Sequence, residues 1–257
     1  ELSQGILTLD LSVDALMADA QALCFLRAAL TNTMTSLPGI RYLNMLVDGR
    51  EESALTLPSG AMSMTDGNLT ALWAQRQADE ERFLTDPVSA QIERTMTLYF
   101  ASWTDNRLLP EARPVTLTSD NFTLRALNEL RRGPAASLAH GVLPAEAKLR
   151  RAPETVTLPD GRRVLRLSFR EDLYDLLEKE GLSALQLYAA MTLTLCRFVP
   201  ELNGLMVGVG GKLVTSVGDG ARARAFADGV MTPNDFDGLV GRVAKLYFAG
   251  DDGRLKA

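Results

Sequence analysis

Two periodicities alternate along this chain. Short stretches switch between apolar and polar at every step, as half-buried strands do, and longer ones are apolar at helical spacing or nearly throughout. Leu98 to Trp103 and Arg113 to Leu117 read as strands, with a turn at Asp105 and Asn106. Asp120 is a suitable N-cap, because its carboxylate can accept from the orphan amides of a first helical turn. The helix it opens runs to about Arg132, with Phe122, Ala126, Leu127 and Leu130 on one face and Gly133-Pro134 as its stop. Lys148 to Leu158 and Arg163 to Phe169 read as a hairpin around Pro159-Asp160-Gly161. Leu182 to Phe198 is so evenly apolar that a helix there must be buried on most sides. Leu205 to Val209 closes the set as a strand. The order β-β-α-β-β-α-β predicts an α+β fold, with a mostly antiparallel sheet and two helices on one face.

The pattern repeats. Leu7 to Arg50 matches Arg163 to Lys212: Leu9, Leu11 and Ser12 align with Leu165, Leu167 and Ser168, and Thr31 and Thr33 with Thr192 and Thr194. Both copies break at a proline, Pro38 and Pro200, and end on a short apolar strand and a glycine turn. The second copy has a longer strand-to-helix connection around Glu178 to Gly181. A second echo joins Thr97 to Pro110 with Lys245 to Ala257: Leu98, Tyr99 and Phe100 align with Leu246, Tyr247 and Phe248, and Arg107 and Leu108 with Arg254 and Leu255, after one deletion. Internal repetition of this kind sets the architecture before any single element does.

The unit resembles the GerM domain of sporulation and spore-germination proteins. The features that carry the resemblance are the Leu98-Tyr99-Phe100 strand, the helix end from Leu127 to Pro134, Leu143-Pro144, the strand from Val164 to Phe169, the Thr-x-Thr helix and the proline-led last strand. The first copy contributes Leu9 to Ser12, Ala29 to Ile40 and Val47 to Arg50. Gly210-Gly211 departs from Asp48-Gly49 of the first copy. The resemblance implies a fold similar to ring-building motifs. Residues 1–60 would form the C-terminal half of a GerM-like unit, 61–94 a linker, 95–217 a complete unit, 218–243 a second linker and 244–257 the opening strand of a further unit. It also implies a non-enzymatic, extracytoplasmic protein–protein interaction and assembly module of sporulation or germination, lipoprotein-like and membrane-anchored in a Gram-positive bacterium. No catalytic, cofactor-binding or metal residues come with it. The partners it implies are other envelope or sporulation proteins, with self-association through sheet edges. The membrane would be reached only through an anchor outside this chain, and the opening on Glu1 without a methionine leaves room for a removed upstream segment. A cell-wall glycan- or peptide-binding module is the alternative.

The remaining chemistry fits that reading. The chain has 257 residues, 46% apolar and 23% charged, with a net charge of −5. That balance argues against a nucleic-acid surface, and the basic cluster Lys148, Arg150 and Arg151 reads as a solvated edge. His140 is the sole histidine, with no nucleophile at a spacing that would pair with it. Cys24 and Cys196 read as buried thiols, and one histidine with two distant cysteines is too few for zinc. Gly208 to Ser216 lacks the spacing of a phosphate loop. Glu171, Asp172 and Asp175 read as acids favoured at a helix N-terminus. Asp10 is placed on the outward face of its strand, opposite Arg166 of the other copy. The paired threonines read as hydroxyls bonded back to helix carbonyls, or as contacts to a partner or a sheet edge. Residues 60–94 and 218–243 read as structured linkers, with Trp73 able to pack on a neighbouring unit. The final strand is expected to pair with the open sheet edge of residues 7–50. Deleting Lys245 to Ala257 should then lower stability or solubility, read by thermal unfolding and by light scattering; an unchanged melt and unchanged solubility would count against it.

Overall fold

A computed structural model describes residues 1–52, 55–118, 122–218 and 223–240, and the strand pairs at 248–249 and 255–256. The first repeat opens with strands β1 (Leu2–Ser3) and β2 (Ile6–Leu11). A short 3-10 helix over Val13–Met17 leads to helix α1 (Ala20–Thr35), and strand β3 (Tyr42–Val47) follows. Asp19 caps α1, its side chain accepting from the Ala22 amide at 2.7 Å. Strand β3 lies parallel to β2, so the segment is a βαβ unit. Helix α2 (Leu69–Thr85) packs on α1.

The second repeat begins with the antiparallel pair β4 (Ile92–Ser102) and β5 (Leu108–Leu117), both longer than the alternation suggests. Pro110 and Pro114 sit inside β5, whose other side is met only by a bridge from Leu108 to Val240 among the described residues; an edge strand tolerates residues that cannot donate. Helix α3 (Phe122–Arg132) buries Phe122, Ala126, Leu127 and Leu130, and Gly133 ends it at φ +81°. Asp120, the expected cap, lies outside the described residues. Strands β6 (Ala139–His140), β7 (Glu154–Thr157) and β8 (Arg163–Phe169) come next. The strand expected over Lys148 to Leu158 is therefore confined to its second half, and the first half touches β8 only through a bridge between Leu149 and Phe169.

The connection expected around Glu178 is instead helix α4 (Leu173–Glu180), closed by Gly181 in the left-handed region at φ +66°. Helix α5 (Ala184–Cys196) is buried along almost all of its length, as its composition demands. Strand β9 (Gly204–Val209) lies parallel to β8, and β10 (Lys212–Leu213) turns back on it. Strands β11 (Ser216–Val217) and β12 (Arg224–Ala225) pair with each other, and β13 (Val230–Met231) pairs with β9. The strand pairs are mostly antiparallel, but they are divided among several sheets, the largest being β10-β9-β8-β7 with β13.

Register shows how closely the repeats correspond. Leu7 lies opposite Leu43, and Leu165 opposite Leu205. The Asp48 amide donates to Leu11 and the Gly210 amide to Phe169, at 3.0 and 3.2 Å. The strands therefore correspond as Leu11 to Phe169 and Asp10 to Ser168. The Leu-Ser match slips by one alternation, which conserves the faces and hides the error from any pattern of period two. Arg166 is thus the counterpart of Thr8, not of Asp10. The apparent departure at the turn also disappears. Asp48 and Gly49 have φ of +50° and +75°, and Gly210 and Gly211 have +59° and +86°. Two successive positive φ values are what a two-residue hairpin of this hand requires.

The tail repeats the register of β4 and β5. Strands β14 (Phe248–Ala249) and β15 (Leu255–Lys256) pair Phe248 with Lys256 and Ala249 with Leu255. The aligned residues pair Phe100 with Leu109 and Ala101 with Leu108. The remaining residues of the expected edge pairing with 7–50 lie outside the described ones.

The segments read as linkers carry structure of their own. Helix α2, with Trp73 half-buried on it, and the first residues of β4 fall within 61–94. Gly60 at φ +65° lets this segment approach β4: the Ala61 amide donates to the Thr95 carbonyl at 2.9 Å, and a Cβ on Gly60 would lie 2.4 Å from that oxygen.

The Thr-x-Thr pair differs between copies. Thr31 and Thr33 bond back to the Arg27 and Ala29 carbonyls at 2.7 and 2.8 Å. Thr194 instead accepts from the Tyr99 amide of β4 at 3.3 Å, and the buried Thr192 hydroxyl has no partner among the described residues. Thr194→Val should therefore cost about 1–2 kcal/mol by stranding a buried amide, whereas Thr192→Val should be neutral or stabilising. Urea unfolding of the two variants checks this, and equal losses would contradict it.

Candidate functional site

The sequence candidates for chemistry remain scattered. His140 is half-buried in β6, its Nδ1 2.9 Å from the Gly141 carbonyl and its ring 4.4 Å from Trp103. Cys24 and Cys196 are buried in different helices; burial raises both thiols, Cys196 to about 12. Asp10 accepts from the Gly49 amide at 2.9 Å and so braces the first hairpin turn. Glu171, Asp172 and Asp175 are exposed around the start of α4, where the helix dipole favours them. Gly208 to Ser216 is a hairpin between β9 and β10 that leads into another strand. A phosphate loop leads into a helix N-terminus, which this turn lacks. Among the described residues, no group of three His, Cys, Asp or Glu side chains is placed to hold a metal ion.

One groove does gather like charges. Arg150 and Arg151, from the segment before β7, meet Arg166 of β8 beside Gly208 and Gly211, around a cavity of about 280 Å³. Among the described residues none of the three arginines is in an ion pair. The arginines were visible in the sequence; their convergence depends on the irregular stretch that folds back along β8.

A buried polar junction was not visible at all. Arg27 of α1 lies 3.7 Å from Glu51, and its other nitrogen donates to the Glu52 carbonyl at 2.8 Å. The Glu51 carboxylate accepts from the Ser59 amide at 2.8 Å. Arg94 of β4 pairs with Asp79 of α2 at 3.1 Å and reaches the Pro58 carbonyl at 3.0 Å. Arg76 donates to the Ser59 hydroxyl at 3.0 Å. Burial pushes the Arg76 guanidinium down to about 10, with Arg27 and Arg94 adding to the shift. This arrangement ties Glu51, Glu52, Pro58 and Ser59 to α1, α2 and β4, and its partners are carbonyls, amides, a hydroxyl and one another.

The third feature is apolar. The 3-10 helix Val13–Met17 buries none of its residues, and Val13, Leu16 and Met17 are exposed. Leu26 on α1 and Leu37 beyond its end are exposed as well. Exposed apolar side chains are common singly, and five of them fall within residues 13–37. No helix among the described residues is long and apolar enough to cross a membrane.

The fold is that of an α+β repeat protein, and solved GerMN domains are among the structures it is similar to. No family model and no curated protein matches the chain. Among solved structures it is similar to the tandem GerMN domains of the sporulation protein GerM from Bacillus subtilis, with 18% identity over 90% of this chain and 76% of that one, at a TM-score of 0.40. It is also similar to the first GerMN domain of that protein, with 16% identity over 55% of this chain and 98% of that one, at a TM-score of 0.38.

The junction makes a prediction about pH. Burial raises the Glu51 carboxyl above its ordinary value of 4.5, outweighing Arg27 and the Ser59 and Gly60 amides, which pull it down. An acid with a raised folded pKa binds its proton more tightly when native, so its contribution falls as pH rises from 4.5 through the folded value. Relative to Glu51→Gln, the unsubstituted protein should lose stability as pH climbs through that window. Urea midpoints at stepped pH check this, and a gap independent of pH would refute it.

Proposed function

We propose that this chain is a non-enzymatic assembly module of the bacterial cell envelope, of GerM type, that works by binding another protein. The observation that carries this reading is the set of exposed apolar side chains on the first repeat, Val13, Leu16, Met17, Leu26 and Leu37. It lies on the repeat whose helix is least covered, beside a scaffold stiffened by the Arg27–Glu51 junction. The order of the repeat motifs supports the same reading. We extend it to an extracytoplasmic, lipoprotein-like location, with sporulation as the setting that the motifs suggest.

A second reading is favoured by the arginine groove. Three guanidinium groups beside two glycines form a shape that could hold an anionic stretch of a cell-wall glycan, since guanidinium matches carboxylate and phosphate in pairs of hydrogen bonds.

Sedimentation velocity over a concentration series tests the first reading. The protein should pass from a smaller to a larger species as concentration rises, and Val13→Lys combined with Met17→Lys should weaken that association by about tenfold or more. A monomer at every concentration that is retained on purified cell-wall sacculi would overturn this in favour of the glycan reading.

A further inference from the structure

Helices α1 and α5 are repeat counterparts, yet one is sheathed and the other is not. On α5, Leu187, Ala190 and Thr194 form a stripe at helical spacing that continues to Phe198 past the helix end, and all four are buried. Strand β4 packs on α5, with Leu98, Tyr99 and Phe100 buried and the Tyr99 amide donating to Thr194. Aligned through the threonine pairs, the corresponding stripe on α1 is Leu26, Ala29, Thr33 and Leu37. There Leu26 is 39% and Leu37 51% exposed, and Ala29 and Thr33 are exposed too. Among the described residues Thr33 accepts from no strand amide, and its hydroxyl donates back to the Ala29 carbonyl. Met17, 89% exposed, and Val13, 57% exposed, are further apolar side chains left open ahead of α1.

The chain also carries a spare copy of what covers α5. Leu246-Tyr247-Phe248 repeats Leu98-Tyr99-Phe100, and β14 pairs with β15 in the register of β4 with β5. Among the described residues, β14 and β15 form a sheet of their own. The protein therefore has a second strand pair in the register of β4 with β5, and a second helix stripe matching the one whose Thr194 meets β4.

We propose that the Leu26, Ala29, Thr33 and Leu37 face of α1 is the docking site for the Lys245–Ala257 segment of a second copy of this chain. Leu246-Tyr247-Phe248 lies across α1 as Leu98-Tyr99-Phe100 lies across α5, and the Thr33 hydroxyl accepts from the Tyr247 amide. Reciprocal exchange between two copies closes into a symmetric dimer, since each supplies one hairpin and one face. This inference rests on the assembly reading above and names its partner.

Crosslinking between two variants tests it. Thr33→Cys and Tyr247→Cys are made separately, mixed as full-length chains, and treated with a short bis-maleimide. The native thiols at Cys24 and Cys196 are buried and leave little background. The mixture should give a covalent dimer well in excess of either variant alone. Leu26→Asp, at an exposed position, should leave the melting temperature unchanged and abolish that dimer. A chain carrying both cysteines that crosslinks only within itself would overturn the second-copy assignment. If association survives both Leu26→Asp and removal of Lys245–Ala257, the assembly reading stands and this docking site falls. If no association is seen at any concentration, both fall.

Discussion

Glu51 joins the two repeats through its backbone and the first repeat to itself through its side chain. Its amide donates to the Cys196 carbonyl at the end of α5 at 3.0 Å, and its carbonyl accepts from the Glu201 amide at 3.3 Å. Its carboxylate accepts from Ser59 and faces Arg27. Burying such a group is costly unless its partners are in place, so Glu51 and Ser59 are held in one arrangement. The rest follows from that. Gly60 can approach β4, Ala61 can bond to Thr95, and Arg94 can reach Pro58 and Asp79. The end of the segment read as the first unit and the segment read as a linker together join the two halves.

The two helices show how one sequence motif can serve two environments. The threonines of α1 satisfy themselves within the helix, whereas Thr194 of α5 supports a strand. A hydroxyl can do either because it both donates and accepts. The two helices differ in exposure accordingly: Ala29 and Thr33 of α1 are exposed, whereas Ala190 and Thr194 of α5 are buried.

Much of the fold was legible. The strands, the α3 stripe and its glycine stop, the buried α5 and the Pro159-Asp160-Gly161 hairpin all follow from local periodicity and turn chemistry. Helix α4 was missed because its eight residues look like a connection beside the long apolar run that follows. The strand register was misread because a shift of two residues changes no face. The candidate surface was half legible: the apolar residues of α1 were evident, but a helix of that composition is equally compatible with full burial, as α5 demonstrates.

By itself the sequence determined the α+β class, the repeat and the match between the tail and β4, because these are properties of order and spacing along one chain. Tertiary structure alone decided which face of α1 stays open, where Arg150, Arg151 and Arg166 converge, and that Arg27 and Glu51 meet in a buried site. Those outcomes depend on residues far apart in the chain arriving at the same place. Local propensity carries no information about such distances, whereas packing fixes them once the strands have found their register.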